Sequence, residues 1–183
     1  MATWTSPPSF TTGQKPGSAH MNTYIVENLK ASVQPPTLCC TASSTSNVAN
    51  NTWTLVAFDG DVINTVGTSL HDTATNNSRL IAPVAGVYRI HARTAWAAAS
   101  GNHDLSIRKN SAGSNSGGSL VVQESTLASS ARYTSLSSSA LVSLSAGDYL
   151  EVFRFQFTGS SLAPASLGGA APAIVDFQLT YRS

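Results

Sequence analysis

The stretch GVYRIHARTAW, residues 86–96, decides the fold. One of its faces carries large apolar side chains, namely Tyr88, Ile90, Ala92 and Trp96. The opposite face carries basic side chains, namely Arg89, His91 and Arg93. A period of two residues is typical of a β-strand that buries one face, because successive strand side chains point to opposite sides. The stretch therefore predicts a strand whose apolar face lies on a core and whose basic face meets solvent or an acidic partner.

The same period recurs from Trp53 to the end of the chain. Strand-like segments are separated by turns rich in Gly, Asn and Asp, at spacings of roughly 8–12 residues. The segments include TWTLVAFDGDVINTVG, HDLSIRKN, LVVQES, YTSLSSSALVSL, YLEVFRFQF and AIVDFQLTYRS. Their number and spacing predict an all-β protein, a jelly-roll β-sandwich of about 8–10 antiparallel strands. Two long loops, residues 110–119 and 159–172, are expected at the ends of the sandwich.

The segment YLEVFRFQF, residues 149–157, has apolar side chains on both faces. One face carries the aromatic residues Tyr149, Phe153, Phe155 and Phe157. The other carries Leu150 and Val152. A single sandwich has one core-facing side for each strand, so we expect the aromatic face to lie under a partner. These four aromatic residues are our candidates for a subunit interface.

The N-terminal region has a different pattern. Residues 1–17 contain Pro and Gly and few large apolar residues, which indicates an extended arm. A short helix follows, with Ser18 as its candidate cap and with apolar residues near helical spacing. We therefore divide the chain into an anchoring arm and short helix (1–36), a Ser/Thr/Asn-rich connector (37–51) and the jelly-roll domain (52–183).

The helix is predicted to attach the protein to a partner. Its apolar stripe consists of Met21, Tyr24, Ile25 and Leu29. A helix of three turns is marginal in water by itself, so another surface has to cover the stripe. Two aromatic residues of the arm, Trp4 and Phe10, are expected to dock on a neighbouring surface. The stripe is expected to pack on the symmetry axis of the assembly or to lie flat on a partner.

Composition narrows the classes of partner. Charged residues make up 10% of the 183 residues, against about 25% in an average soluble domain. The formal net charge of +1 provides no basic face for nucleic acid. No apolar run approaches the ~20 residues of a membrane-spanning helix, and the first residues lack the pattern of an export signal. We expect neither nucleic acid nor a membrane as a partner, and a weakly charged composition of this kind is typical of a surface or virion protein.

No arrangement of residues typical of catalysis is present. His71-Asp72 and His103-Asp104 are the neighbouring His and carboxylate residues, without a third ligand spaced nearby. Asp59-Gly60-Asp61 lacks the ligand density of a calcium loop and is expected to be a β-turn. Cys39 and Cys40 are adjacent, which is a poor geometry for a mutual disulfide but leaves a cross-link between subunits open. We expect no enzyme activity and no cofactor.

The stretch from Phe58 to Ala92 resembles a known family. Phe58-Asp59, then Leu70-His71-Asp72, then APVAGVY (82–88) resemble the signature of the globular-head domain of complement's first component, a branch of the tumour necrosis factor-like superfamily. LSAGDYLEV, residues 144–152, resembles that family's entry into its penultimate strand. The resemblance covers about residues 53–183. It implies a jelly roll that associates as a tight homotrimer.

The N-terminal segment has a resemblance of its own. WTSPPSFTTGQKPGSAHMNTYIVENLKA, residues 4–31, is similar to the opening of many tailed-bacteriophage structural proteins. Those openings combine a Trp-Thr pair, a Pro, an aromatic residue, a Gly and a short helix with an Asn ahead of an Asn-Leu pair, here Asn22 and Asn28-Leu29. The similarity implies a virion protein and leaves open whether it belongs to the head or the tail.

These observations give a first hypothesis and its rivals. The first is a non-enzymatic phage virion protein, a trimeric decoration or head-fibre protein on the capsid surface, held on the major capsid protein by its N-terminal arm. The alternative is a tail-tip or baseplate protein that recognises a host glycan or protein through its loops. A secreted adhesion module ranks third, because the sequence shows no export signal, and a hydrolase ranks last.

Overall fold

The computed structural model describes residues 9, 12–26, 28–29, 34–166 and 171–181. The chain divides into two compact units, Met1–Pro35 and Pro36–Ser183. No helix in the described part is long and apolar enough to cross a membrane.

The second unit is a sandwich of two antiparallel sheets. Its strands are β1 (Thr37–Ala42), β2 (Thr54–Leu55), β3 (Gly60–Asn64), β4 (Arg79–Ile81), β5 (Gly86–Trp96), β6 (Gly101–Lys109), β7 (Ser119–Ala128), β8 (Thr134–Leu144), β9 (Tyr149–Phe157) and β10 (Ala173–Tyr181). The first sheet has the order β3-β1-β10-β5-β8. The second has the order β2-β9-β6-β7, and β4 also pairs with β9. The predicted all-β jelly roll is confirmed.

Strand β5 lies inside the first sheet, as its pattern predicts. It pairs with β10 on one side and with β8 on the other. Tyr88, Ile90, Ala92 and Trp96 are all buried, and Tyr88 stacks on Phe177 of β10 with ring centroids 4.8 Å apart. The predicted faces of β5 are confirmed, and the core lies between its apolar face and the facing side chains of the second sheet, such as Leu105, Ile107 and Leu150.

The predicted connector, residues 37–51, is wrong in its first part. Residues Thr37–Ala42 form β1, which pairs with β10 and β3 inside the first sheet. Leu38, Cys40 and Ala42 face the core, and the intervening residues face outward. The Thr-rich composition of TLCCTA indicated a connector, but β-branched Thr is also a good strand residue when its neighbours alternate into a core.

The short helix of the first unit is present and differs in detail from the prediction. The chain is α-helical over Ser18–His20 and continues with the wider π geometry over Met21–Val26. The N-cap residue is Gly17, without a side-chain hydrogen bond, rather than Ser18. The ring of Tyr24 stacks on His20 with centroids 5.9 Å apart.

Candidate functional site

The aromatic face of β9, predicted as a subunit interface, is largely covered by its own chain. Arg79 places its guanidinium over the Tyr149 ring, 4.4 Å from the ring centroid. Phe153 is only 1% exposed, and Phe155 packs on Trp53 with ring centroids 5.1 Å apart. Phe153 therefore has almost no surface left for a partner, and this candidate is corrected. Among the four aromatic residues, Phe157 is the exposed one, at 52%.

The buried carboxylate of Glu151 holds a loop over this face of β9. It accepts hydrogen bonds from the Gly113 amide (2.9 Å), the Ser111 hydroxyl and the Ser78 hydroxyl (3.3 Å), and it pairs with Arg79 Nε (3.4 Å). The Ala112 amide donates to the Tyr149 hydroxyl at 3.1 Å. The loop that follows β6 is thus tied to β9.

The outer face of the first sheet is weakly charged. His91 Nδ1 lies 3.7 Å from Asp176 Oδ2, and Arg89 lies 3.5 Å from Gln178. Arg89 also stands opposite the exposed Leu141 in the register of β5 and β8. The basic row predicted for β5 therefore shares its surface with small polar and apolar side chains.

Exposed apolar side chains lie at both edges of the first sheet. Val62 and Ile63 are exposed on the edge strand β3. At the other edge, Leu141 is exposed on β8 and Tyr133 precedes that strand. Leu127 is exposed on β7, the edge strand of the second sheet. Exposed apolar side chains thus lie on edge strands of both sheets.

The apolar stripe of the first unit is also exposed. Met21, Ile25 and Leu29 are 43%, 51% and 61% exposed, and Tyr24 is half-buried. The other two anchoring candidates, Trp4 and Phe10, lie outside the described residues. Attachment through this segment remains a prediction.

The neighbouring His and carboxylate residues do not form pairs. His71 is buried, whereas Asp72 caps its own turn by accepting from the Ala74 and Thr75 amides at 2.9 and 3.2 Å. Those bonds hold the pKa of Asp72 below its usual value. On β6, His103 and Asp104 point to opposite sides of the strand, and Asp104 is hydrogen-bonded to Ser125.

His103 lies in a polar part of the core. It stacks on Trp96 with ring centroids 5.2 Å apart, and the guanidinium of Arg154 lies 5.9 Å from the Trp96 ring. Burial lowers the pKa of His103 and lowers the pKa of Arg154 to about 10. Within the described part of the chain, neither ring nitrogen of His103 has a hydrogen-bond partner.

The two cysteines have different surroundings. Both are free thiols; Cys39 is half-buried on the outer side of β1, and Cys40 is buried in the core. Burial, followed by a hydrogen bond with Asp176, raises the pKa of Cys39 to about 11. A cross-link between subunits through Cys40 would require its side chain to leave the core, so Cys40 is unsuited to that role.

Three residues that are distant in the sequence come together at the β1–β3 edge. Cys40, Asp61 and His71 each bring one potential ligand atom within 4.8 Å of the other two. Sequence reasoning considered Asp61 with Asp59, His71 with Asp72, and Cys40 with Cys39, because these are neighbours in the chain. The structure instead turns Asp59 away, since its carboxylate accepts from the Ser43 amide at 2.9 Å. No sequence signal links the three residues, because they come from β1, β3 and the segment that precedes β4.

Comparison with known proteins identifies the fold. No protein-family model matches the chain, and no curated protein matches its sequence significantly. The globular domain of the zebrafish complement 1qA protein is similar in structure, with a TM-score of 0.55 and 18% identity over 81% of this chain and 99% of that one. Murine APRIL has a TM-score of 0.57 and 14% identity over 80% and 100%. The Eiger TNF of S. frugiperda has a TM-score of 0.56 and 17% identity over 82% and 96%. The second unit thus has the jelly-roll fold of complement 1q and tumour necrosis factor domains, as its signature predicted.

Proposed function

We propose that this chain is a non-enzymatic structural protein of a tailed-bacteriophage virion. It forms a homotrimer of jelly rolls, and its N-terminal segment attaches the trimer to the capsid as a decoration or head-fibre protein. The observation that carries the proposal is the exposed apolar stripe of Met21, Ile25 and Leu29 on a unit separate from the sandwich. Exposed apolar residues on a short helix are typical of a segment that docks on a partner.

The exposed apolar side chains on the sheet edges support a cyclic assembly. Val62 and Ile63 lie on β3, whereas Leu127 lies on β7 and Leu141 lies on β8. Contact between two unlike surfaces is heterologous, and such contacts close into a ring when the rotation between copies permits it. The resemblance to tumour necrosis factor-like domains favours a ring of three. Three N-terminal segments on one trimer would increase attachment through avidity.

The resemblance of residues 4–31 to the opening of phage structural proteins supports the virion assignment. The low share of charged residues, 10%, is consistent with a rigid surface protein. No arrangement typical of an active site was found among the described residues, and the proposal assigns the protein a mechanical role. Location on the capsid rather than the tail is favoured because the described residues include no elongated shaft segment.

Deletion of residues 1–35 tests the proposal. We expect the truncated protein to remain trimeric in solution and to lose co-sedimentation with capsids assembled from the major capsid protein of the same genome. The triple variant Met21→Ser, Ile25→Ser, Leu29→Ser should also lose co-sedimentation. The matched control, Asn22→Ala with Thr23→Ala, changes exposed polar residues of the same segment and should bind normally.

Immunogold labelling of intact particles separates the candidate locations. Labelling around the head supports the decoration role, whereas labelling at the tail tip would replace it with the receptor-binding alternative. Full capsid binding by the truncated protein would contradict attachment through the N-terminal segment.

A further inference from the structure

The cluster of Cys40, Asp61 and His71 depends on a bulge in the β1–β3 pair. Ile63 stands opposite Cys39, so regular pairing would place Val62 opposite Cys40. The register shifts at this point, and Asp61 stands opposite Cys40 instead. A β-bulge re-aims side chains in this way, and it is treated as a designed feature rather than a defect. The result is a carboxylate beside a core thiol.

Both ring nitrogens of His71 face hydrogen-bond acceptors. Nε2 lies 3.0 Å from the carbonyl oxygen of Asn77, and Nδ1 lies 2.7 Å from Asp61 Oδ1. Both partners are acceptors, but a neutral imidazole carries only one N–H. When Nε2–H donates to Asn77, the Nδ1 lone pair faces a carboxylate oxygen. The space between Nδ1 and the Asp61 carboxylate can thus hold either a hydrogen on Nδ1 or a metal ion.

Asp61 and His71 are each held in place by a further hydrogen bond to a neighbouring residue. Asn64 Nδ2 donates to the second carboxylate oxygen of Asp61 at 2.7 Å, while the Asn77 carbonyl holds His71. The Phe58 ring also packs edge-on against the His71 ring, with centroids 6.3 Å apart. Metal-binding His and carboxylate residues characteristically have such outer partners, which fix the tautomer and the direction of the ligand atom.

We propose that Cys40, Asp61 and His71 bind one Zn²⁺ ion, with water as the fourth ligand. Sulfur, imidazole nitrogen and carboxylate oxygen are the ligands zinc prefers, whereas Ca²⁺ and Mg²⁺ require oxygen ligands. Zinc would lie between His71 Nδ1 and the Asp61 carboxylate, and the thiol proton of Cys40 would be released to solvent.

The cluster has to rearrange to hold the ion. With ligand bonds of about 2.0–2.3 Å, tetrahedral ligand atoms stand about 3.3–3.5 Å apart. The distance from His71 Nδ1 to Asp61 Oδ1 is 2.7 Å, so these two atoms must separate. Asp61 can make this movement because its side chain is 26% exposed, which also leaves room for the water ligand. The Cys40 Sγ lies within 4.8 Å of both atoms and must move to bonding distance of the ion. The ion would then tie β1, β3 and the segment before β4 together.

Cobalt provides the direct test, because Co²⁺ substitutes for zinc and gives a charge-transfer absorption band when a thiolate binds it. The full chain, treated with chelator and dialysed, is titrated with Co²⁺ and then with Zn²⁺. We expect one Co²⁺ per chain, a thiolate band that zinc abolishes, and a higher melting temperature with zinc. Cys40→Ser should remove the band, and His71→Gln and Asp61→Asn should weaken Co²⁺ binding by about tenfold or more.

Cys39→Ser is the matched control, since it removes the neighbouring thiol and leaves the cluster intact. Of the three ligand variants, Asp61→Asn is the one expected to disturb folding least, because the Asp61 side chain is partly exposed while Cys40 and His71 are buried. Circular dichroism establishes that each variant is folded. The proposal is overturned if stoichiometric Co²⁺ gives no thiolate band, if Cys40→Ser keeps the band, or if Cys39→Ser alone removes it.

Discussion

At the scale of single residues, carboxylates with several donors hold the turns of this protein. Asp148, in the turn between β8 and β9, pairs with Lys109 Nζ at 2.7 Å. It also accepts from Asn110 Nδ2 and from the Ser145 amide, each at 2.7 Å. These bonds, that with Lys109 first, lower the pKa of Asp148 to about 2. A single side chain therefore joins the end of β6 to the β8–β9 turn.

Asp148→Asn should lower the free energy of unfolding by about 1–2 kcal/mol at pH 7, because it removes charge-assisted hydrogen bonds. The folded pKa lies below the usual value of about 3.9, so the carboxylate contributes fully above about pH 5. Its contribution is lost as the pH falls through the folded pKa of about 2. Urea unfolding at pH 7, 4 and 2.5 should therefore show the difference between the two proteins shrinking with acid.

Asp72→Asn is the control for this experiment. Its partners are amides of its own exposed turn, so a smaller effect is expected. A difference in unfolding free energy between wild type and Asp148→Asn that is equally large at pH 7 and pH 2.5 would show that the charge of Asp148 does not stabilise the fold.

At the scale of elements, the loop between β6 and β7 is held by hydrogen bonds to β9. Gly118 has a φ of +57°, and a Cβ there would lie 2.0 Å from the Lys109 carbonyl oxygen, so the loop returns very close to the strand it left. Glu151 of β9 then binds the loop through Ser111 and Gly113. The loop is therefore fixed on the Tyr149 and Glu151 end of this face of β9.

Glu151→Gln should release this loop. Each carboxylate oxygen of Glu151 accepts from two donors, and the glutamine amide would replace one oxygen by an N–H₂ group. Two buried donors would then lose their acceptor, which should cost about 2–3 kcal/mol of stability. Hydrogen exchange should accelerate at the Gly113 amide and its neighbours while the β5 amides remain protected. Glu124→Gln, on the exposed surface of β7, should leave exchange unchanged. Unaltered exchange in the loop of Glu151→Gln would refute the role of Glu151.

At the scale of the whole molecule, the proposed ring uses exposed apolar side chains on edge strands rather than the face of β9. These side chains lie on β3, β7 and β8, whereas Phe153 is already covered by its own chain. The single candidate of the β9 face with a large exposed surface is Phe157.

Light scattering of the full chain should give three times the monomer mass of 19.0 kDa. Leu141→Asp should shift this mass towards that of the monomer, because it places a charge in the proposed contact. Exposed positions change monomer stability by only about 0.5 kcal/mol, so the variant should remain folded. Phe157→Asp, on the second sheet, should stay trimeric. If Phe157→Asp were monomeric and Leu141→Asp trimeric, the subunit contact would lie on β9. A monomeric wild type would contradict the proposed trimer.

The two-residue period of segments such as GVYRIHARTAW was enough to predict the jelly roll and the core face of β5. Alternation is a local property, and burial of one strand face follows from it directly. Composition misled where polar strand residues looked like a connector, at Thr37–Ala42. The short helix of the first unit was expected from its apolar spacing, although the π geometry of Met21–Val26 was not.

Contacts between distant segments were decided by the tertiary structure alone. The sequence shows that β9 has two apolar faces, but whether a loop or another subunit covers the second face depends on where residues 111–113 return. Likewise, the bulge that places Asp61 opposite Cys40, and the segment that brings His71 to both, result from packing between strands. The sequence by itself thus determined which residues face inward, because that depends on local period. Only the folded chain determined which of them meet, because that depends on register and loop closure over tens of residues.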